Sequence, residues 1–384
     1  MMTDDKLATI QNDDDFVFYK KVGDFVATAR RYAKKQMDNT LAVTNYLVGM
    51  MIVEREQQGQ KRAKYGAKLI RGLSEYLTDQ YGGGYSVTNL KYMRTFYLVY
   101  APTKGQTLSD LSGELESLAD IFDLSMEKGQ MLSDQFTLDW SQYQILMRVD
   151  DQAARRFYEI EAENQHWTYK QLQRQVGSSL YERLALSSDK DKVMALANEG
   201  QVVENPCDIF KTPYIFEFTG LEERNSYSET QLEKALIDNM QKFLLELGKG
   251  FLFESRQRRF SFDEDSFYLD LVLYNRLIQC YVIIDLKIGK LKHQDLGQMQ
   301  MYVNYFDRYV KRDYEKPTLG ILICEDRKEK IVELTLPKDS NIYASEYSLY
   351  LPDKALLQSK LAQWVKEFED AQEFSKLTTG GDAE

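Results

Sequence analysis

The sequence predicts an α+β protein, with a mainly α-helical N-terminal domain followed by a C-terminal domain in which helices flank a sheet. Three observations carry this. From residue 16 to 100, apolar residues recur at three- and four-residue spacing, as in helices with one buried face. After residue 226 the pattern becomes one amphipathic helix, then β-branched and aromatic runs broken by short turns. The chain is 43% hydrophobic and 12% aromatic, ample for packed cores.

Residues 1–15 are polar and acidic, an expected disordered N-terminus without signal-peptide character. Residues 16–190 form the expected helical domain. Within it, "YGGGYSVTNLKYMRTFYLVY" stops one helix at Gly82–Gly84 and starts another with Ser86 as N-cap. Pro102 ends that helix, and the Ser-, Asp- and Glu-rich stretch 103–136 reads as a linker or a weakly packed helix. The helical pattern then resumes, with Trp140, Tyr143, Leu146, Phe157, Trp167, Leu172 and Tyr181 as expected core. Residues 191–226 carry polar runs with Pro206 and Pro213 and read as a linker.

Residues 227–375 form the expected second domain. "SETQLEKALIDNMQKFLLELG" reads as one helix striped by Leu232, Leu236, Met240, Phe243 and Leu247. Strands follow in "FLFESRQRRF", "SFYLDLVLYN" and "CYVIIDLKI", the last two paired as a hairpin around Asn275–Arg276. "HQDLGQMQMYVNYFDRYV" is the next helix, "TLGILICED" a buried strand and "YSLYLPD" a last strand. A helix from about 354 to 374 and a disordered tail, 376–384, close the chain.

Charge and cysteine usage narrow the function. The formal net charge of −11 is unlike a nucleic-acid coat protein, although a local basic groove can sit on an acidic body. With 3 scattered Cys and only 2 His, neither a zinc site nor a disulfide framework is expected. That favours a reducing, cytoplasmic setting. No apolar run approaches the ~20 residues of a membrane helix.

The residues that carry chemistry lie in "FYLDLVLY" and "YVIIDLKI". Alternate residues of a strand share a face, so Asp285 and Lys287 point the same way from a strand that otherwise reads as buried. If the two strands are hairpin partners, Asp270 comes close to Asp285. Two adjacent carboxylates repel unless a cation sits between them, and such hard oxygen ligands suit Mg²⁺ or Mn²⁺. Lys287 can then orient a water or stabilise charge on a phosphate. On an ordinary sheet the same three residues would be a structural ion pair.

The order of helix, strand, strand with Asp, strand with Asp-x-Lys, helix and strand resembles the PD-(D/E)XK nuclease superfamily, with its restriction-endonuclease-like αβββαβ core. The resemblance implies metal-dependent cleavage of phosphodiester bonds. It matches Asp270 and Asp285 to the two acids and Lys287 to the lysine, with Leu269 where many members carry Pro. It adds a Glu from the first helix, Glu233 with Glu229 in reserve, as a further metal ligand. Gln298 and Tyr302 are similar to the superfamily's accessory Gln-x-x-x-Tyr pair. "FLLELGKGFLF", "FYLDLVLYN", "IIDLK", "HQDLGQMQMYVNYFD" and "LGILIC", with "YGAKLIRGLSEYL", "NLKYMRTFY", "WSQYQIL" and "YERLALS" before them, resemble the YhcG-like family of bacterial proteins over nearly the whole chain. That family implies a helical N-terminal domain before the nuclease domain, and many superfamily members imply a homodimer or higher oligomer.

The expected partner is nucleic acid, DNA above all, in repair, recombination or defence against foreign DNA. Arg256, Arg258 and Arg259 are candidates to grip phosphates beside the site. Asn89, Lys91 and Arg94 follow Ser86 as in a helix-turn-helix or winged-helix-like reader, and Lys61, Arg62, Lys64 and Lys68 make that region basic. The rival readings are a nuclease-like fold with little or no turnover that binds DNA or assembles proteins, and a protein-interaction scaffold.

Overall fold

The computed structural model describes residues 14–58, 63–104, 136–187, 190–209, 211, 213–221, 227–262, 265–327, 329–337 and 340–361. Residues 1–13, Lys61, Arg62, nearly all of the soft stretch 103–136, the last helix beyond 361 and the tail lie outside them. The chain divides into two compact units, Met1–Asp150 and Asp151–Glu384.

In the first unit the described elements are helices: α1 (Asp14–Gln58), α2 (Ala63–Tyr81), α3 (Val87–Lys104) and α4 (Trp140–Leu146). The turn between α2 and α3 follows from its glycines, since Gly82 and Gly84 have φ of 79° and 108°. Ser86 caps α3 as expected, its Oγ accepting the Asn89 N–H at 3.2 Å. Phe96 of α3 sits among the rings of Tyr46, Phe136 and Tyr143, with centroids 5.0–5.8 Å away. No strand that would form a wing is seen among the described residues of this unit.

The second unit begins with α5 (Gln152–Asn164), α6 (Tyr169–Gly177), α7 (Leu180–Ser187) and α8 (Lys190–Glu199). After short 3₁₀ turns and β1 (Tyr214–Ile215) come α9 (Glu229–Asp238), α10 (Met240–Leu247), β2 (Phe251–Phe262), β3 (Asp265–Asn275) and β4 (Cys280–Leu286). Then follow α11 (His293–Tyr305), β5 (Leu319–Cys324), α12 (Glu329–Thr335) and β6 (Ile342–Ser348), and a last helix, α13, runs from 354. The sheet order is β1-β6-β5-β4-β3-β2, with β3 antiparallel to both of its neighbours, β2 and β4, and with β4, β5, β6 and β1 parallel.

The two-residue alternation of each strand builds two cores. Leu271, Leu273, Val282, Ile284 and Ile321 face Leu232, Leu236, Phe243 and Leu247 of α9 and α10. Val272, Ile283 and Leu322 face Leu296, Met299 and Val303 of α11. Each such fully buried aliphatic side chain is worth about 2 kcal/mol. On β5, a Cβ on Gly320 would stand 2.6 Å from Met299 Sδ, so glycine is what lets α11 lie this close.

Several elements depart from the sequence reading. The helix expected over 228–248 breaks at Asn239 (φ −114°, ψ 33°), whose amide donates to Ala235 O at 3.1 Å and so competes with the helical ladder. The last strand lies earlier than "YSLYLPD": it ends at Ser348, whose Oγ accepts the Tyr350 N–H at 3.3 Å and turns the chain. The stretch read as a linker, 191–226, contributes the end of α8, β1 and fully buried Tyr214 and Phe216.

That stretch is held by ion pairs invisible in the sequence. Buried Glu246 of α10 accepts from Arg183 Nη1 at 2.7 Å, Arg174 Nη1 at 3.1 Å and Ile215 N–H at 3.0 Å. Arg183 also donates to Ser178 O at 2.9 Å and Pro213 O at 3.0 Å. These bonds fasten α6 and α7 to the sheet domain, which is why the compact unit starts at Asp151 rather than near 227.

Candidate active site

The β3–β4 register pairs Leu271 with Ile284 and, one step further, sets Asp270 opposite Asp285. The ladder ends here, and the ends of both strands are finished by side chains. Asp270 Oδ2 accepts the Leu286 N–H at 2.8 Å, while the Lys287 N–H reaches Ile323 O of β5 at 2.8 Å. Asp285 is only 4% exposed. Its Oδ2 lies 2.8 Å from Lys287 Nζ.

The electrostatics match the crowding. Burial, then the Asp270 charge and a hydrogen bond with that carboxyl, push the Asp285 carboxyl up to about 7, against the pull of Lys287. Burial alone would lower Lys287, but Asp285, Glu229 and Asp270 hold its ammonium above the ordinary value. Glu233, buried on α9, is raised by burial and by Asp270, and lowered by Gln257 and Arg256. One nitrogen links two of the carboxylates: Gln257 Nε2 donates to Glu233 Oε2 at 2.7 Å and to Asp270 Oδ1 at 3.1 Å. Glu229, a turn before Glu233, accepts the Ile288 N–H at 3.2 Å. Ser228 positions the start of this helix through a capping box with Gln231.

From α11, Gln298 Nε2 donates to Tyr302 Oη at 2.6 Å, and the Tyr302 hydroxyl donates to Tyr268 O at 3.1 Å. Tyr302 is buried, and burial followed by the Asp285 charge raises its phenol. Asp270, Asp285, Lys287, Glu233, Gln298 and Tyr302 are therefore brought to one end of the sheet.

The arginines fare differently. Arg256 is exposed and its charge acts on Glu233. Arg258 pairs with Glu254 at 2.8 Å and lies over the Phe306 ring, 5.2 Å from its centroid. Arg259 donates to Ser266 Oγ at 2.9 Å. In the first unit Asn89 is engaged structurally, accepting from Trp140 Nε1 at 3.0 Å and donating to Gly84 O. Arg94 pairs with Glu56 at 2.7 Å, and Lys91 is exposed.

Gln257 escaped the sequence reading. It lies inside "RQRRF", where arginines drew attention, and its place opposite the carboxylates depends on a register shift between Phe253 and Ser255 that no pattern announces. Its φ of 45° is unusual for a residue with a Cβ and places backbone strain beside the site.

Among the described residues no group of three or more His, Cys, Asp or Glu is arranged to hold a metal ion as it stands. The donor set nonetheless fits a hard divalent cation. Glu233 and Asp285 are both raised by burial and by the Asp270 charge, and the Gln257 amide nitrogen is shared between Glu233 and Asp270. Mg²⁺ needs only one or two carboxylates beside water and phosphate oxygens. No helix of the described residues is long and apolar enough to cross a membrane. Cys280 and Cys324 are buried free thiols.

Comparison with known proteins finds matches for both parts of the chain. Residues 207–362 match the YhcG PDDEXK nuclease domain, and residues 21–183 match the DUF1016 N-terminal domain. The chain is 36% identical over 345 residues to "Putative nuclease YhcG" of Escherichia coli (strain K12), covering 88% of this chain and 91% of that protein. A repair endonuclease from Pyrococcus abyssi, known from a crystal structure, aligns at 19% identity over 34% of this chain. The aligned part is 50% of that protein, and the TM-score of 0.23 gives the likeness no weight. On the matches to both halves and the length shared with the E. coli protein, the chain belongs to the YhcG family, a helical N-terminal region joined to a PD-(D/E)XK, restriction-endonuclease-like nuclease domain.

Proposed function

We propose that this protein is a Mg²⁺- or Mn²⁺-dependent endonuclease that hydrolyses phosphodiester bonds of DNA, working in the cytoplasm in repair, recombination or defence against foreign DNA. The observation that carries the reading is the meeting of Asp270, Asp285 and Lys287 at the end of the buried sheet, with Glu233 beside them. Asp270, Asp285 and Glu233 would hold the ion. Such an ion, when bound, neutralises phosphate charge and lowers the pKa of a water. Lys287, already drawn to Asp285, orients the attacking water or stabilises the charge that develops on the phosphate. Gln298 restrains Tyr302, which ties α11 to β3 next to the acids. Arg256, Arg258 and Arg259 grip the DNA backbone near the cut. Residues 16–190 bind DNA, with exposed Lys91 on the phosphate backbone, or mediate assembly, and 227–375 cut.

Purified protein is incubated with supercoiled plasmid, single-stranded DNA and a four-way junction, with Mg²⁺, Mn²⁺ or EDTA, beside Asp285→Ala and Lys287→Ala. Cleavage that needs metal and disappears in both variants supports the proposal. Cleavage that survives Asp285→Ala refutes it.

Gln257 favours a second reading, because its amide spans Glu233 and Asp270 in the resting arrangement. In that reading the nuclease fold binds DNA or assembles proteins without turnover. Calorimetry with Mn²⁺ separates the two: a site with no heat of binding supports the second.

A further inference from the structure

Among the described residues nothing covers the first half of α1. Every residue from 17 to 37 is exposed, whereas the second half is buried, with Ile52 packed against Leu90 and Met93 of α3. Helices in proteins draw most of their stability from packing an apolar face, and this half of α1 has one. Its exposed apolar side chains are not scattered. Phe18, Val22, Phe25, Ala29 and Tyr32 follow at steps of four, three, four and three, the a/d spacing of a coiled coil. Phe18, Phe25 and Tyr32 are 61%, 73% and 67% exposed. Tyr19 and Val26 widen the stripe on one side, and the lysines and arginines at 20, 21, 30, 31, 34 and 35 lie off it. A continuous apolar stripe of this kind marks a protein interface rather than a solvated face.

We infer that this stripe is a self-association surface, where two copies of the chain pair their α1 helices antiparallel about a two-fold axis near residues 23 and 24. The sequence of the helix chooses the occupant. It starts acidic, with Asp at 14 and 15, and becomes basic at 30–35, so an antiparallel mate opposes unlike charge. With Val22 layered on Phe25 of the second copy and Phe18 on Ala29, position 14 (Asp) falls opposite 35 (Lys) and position 21 (Lys) opposite 28 (Thr). No like-charged pair meets at the flanks. Such an interface is isologous, each contact being repeated by symmetry, and closes as a dimer. It sets two nuclease domains in one particle and does not depend on whether either one cuts.

The test uses the full-length protein. Light scattering after size exclusion should give a dimer, and Phe25→Lys should give a monomer with unchanged helical circular dichroism. Phe18→Cys and Ala29→Cys proteins, mixed and oxidised with diamide, should form a disulfide-linked pair, while either alone, and the unaltered protein, should not. A monomeric unaltered protein overturns the inference, since it would mean that the chain covers its own stripe or leaves it to another partner. A dimer that survives Phe25→Lys also overturns it. Crosslinking of Phe18→Cys with itself replaces the antiparallel pairing with a parallel one and refutes the stated register.

Discussion

Glu246→Gln is the perturbation whose size can be worked out most fully. Burial by itself would raise the Glu246 carboxyl, but the Arg183, Lys211 and Arg174 charges outweigh it and bring the group down from an ordinary 4.5 to about 2. A displacement of that size is worth about 3 kcal/mol of folding stability. Because the folded state holds the charged form, this stability is present in full above about pH 4.5 and is lost as pH falls toward 2. The geometry gives a similar figure: leaving a buried Arg183 without its partner costs roughly 3–5 kcal/mol. Lys211 works the other way. Burial lowers it from 10.5 to about 8, so it costs stability below pH 8, and that cost disappears between pH 8 and 10.5. Glu246→Gln should therefore lower the urea-derived stability of the second unit by about 3 kcal/mol at pH 7. The difference from the unaltered protein should shrink as the pH is taken below 4.5. Adding Arg183→Met should recover part of the loss, because it removes the buried cation that Glu246→Gln leaves without a counter-charge. A Glu246→Gln protein within about 1 kcal/mol of the original at pH 7 would refute the reasoning.

Three further outcomes test the site. Gln257→Ala removes the donor shared by Glu233 and Asp270, so Mn²⁺ measured by calorimetry should bind about fivefold tighter, as for one partly exposed charge-assisted hydrogen bond. Weaker binding would make the amide a ligand instead. Tyr302→Phe deletes the hydroxyl that joins Gln298 to the Tyr268 carbonyl and should lower the cleavage rate about tenfold with DNA affinity retained. An unchanged rate would leave the phenol a packing residue. Arg256→Ala should reduce by about one the slope of log affinity against log salt in a DNA anisotropy titration, the loss of one phosphate contact. An unaltered slope would remove Arg256 from the interface.

The sheet domain was legible because its chemistry and its packing use the same alternation. Val272 and Ile283 had to face one core, Leu271 and Ile284 the other, and that parity alone sends Asp270, Asp285 and Lys287 to a common face. Other features were hidden for physical reasons. β1 is two residues long, too short to show a period, and is held in the sheet by distant Glu246. Asn239 breaks a helix whose apolar stripe continues across the break. Asn89 looked like a base reader, yet its amide is occupied by Gly84 and Trp140, contacts 5 and 51 residues away. Gln257 needed a register slip that only the folded hairpin contains.

The placement of Asp270 explains why the site sits where the sheet changes character. β4 is antiparallel to β3 and parallel to β5, so its last residues must find partners on two ladders with different geometry. The Lys287 N–H continues into β5, while the Leu286 N–H is taken by the Asp270 carboxylate. One oxygen of Asp270 is therefore held by the backbone, and the other is left to Gln257. A buried N–H left without an acceptor costs on the order of 1–3 kcal/mol, so the fold itself holds Asp270 in place. Asp285 gains no such backbone bond and depends on Lys287 and on the Asp270 carboxyl. The two acids are thus unequal. Asp270→Asn keeps an acceptor for Leu286 and should fold, whereas Asp270→Ala should both disable the site and fray the end of β4. Amide exchange at Leu286 distinguishes these outcomes, and equal protection in both variants would show that the carboxylate serves the site alone.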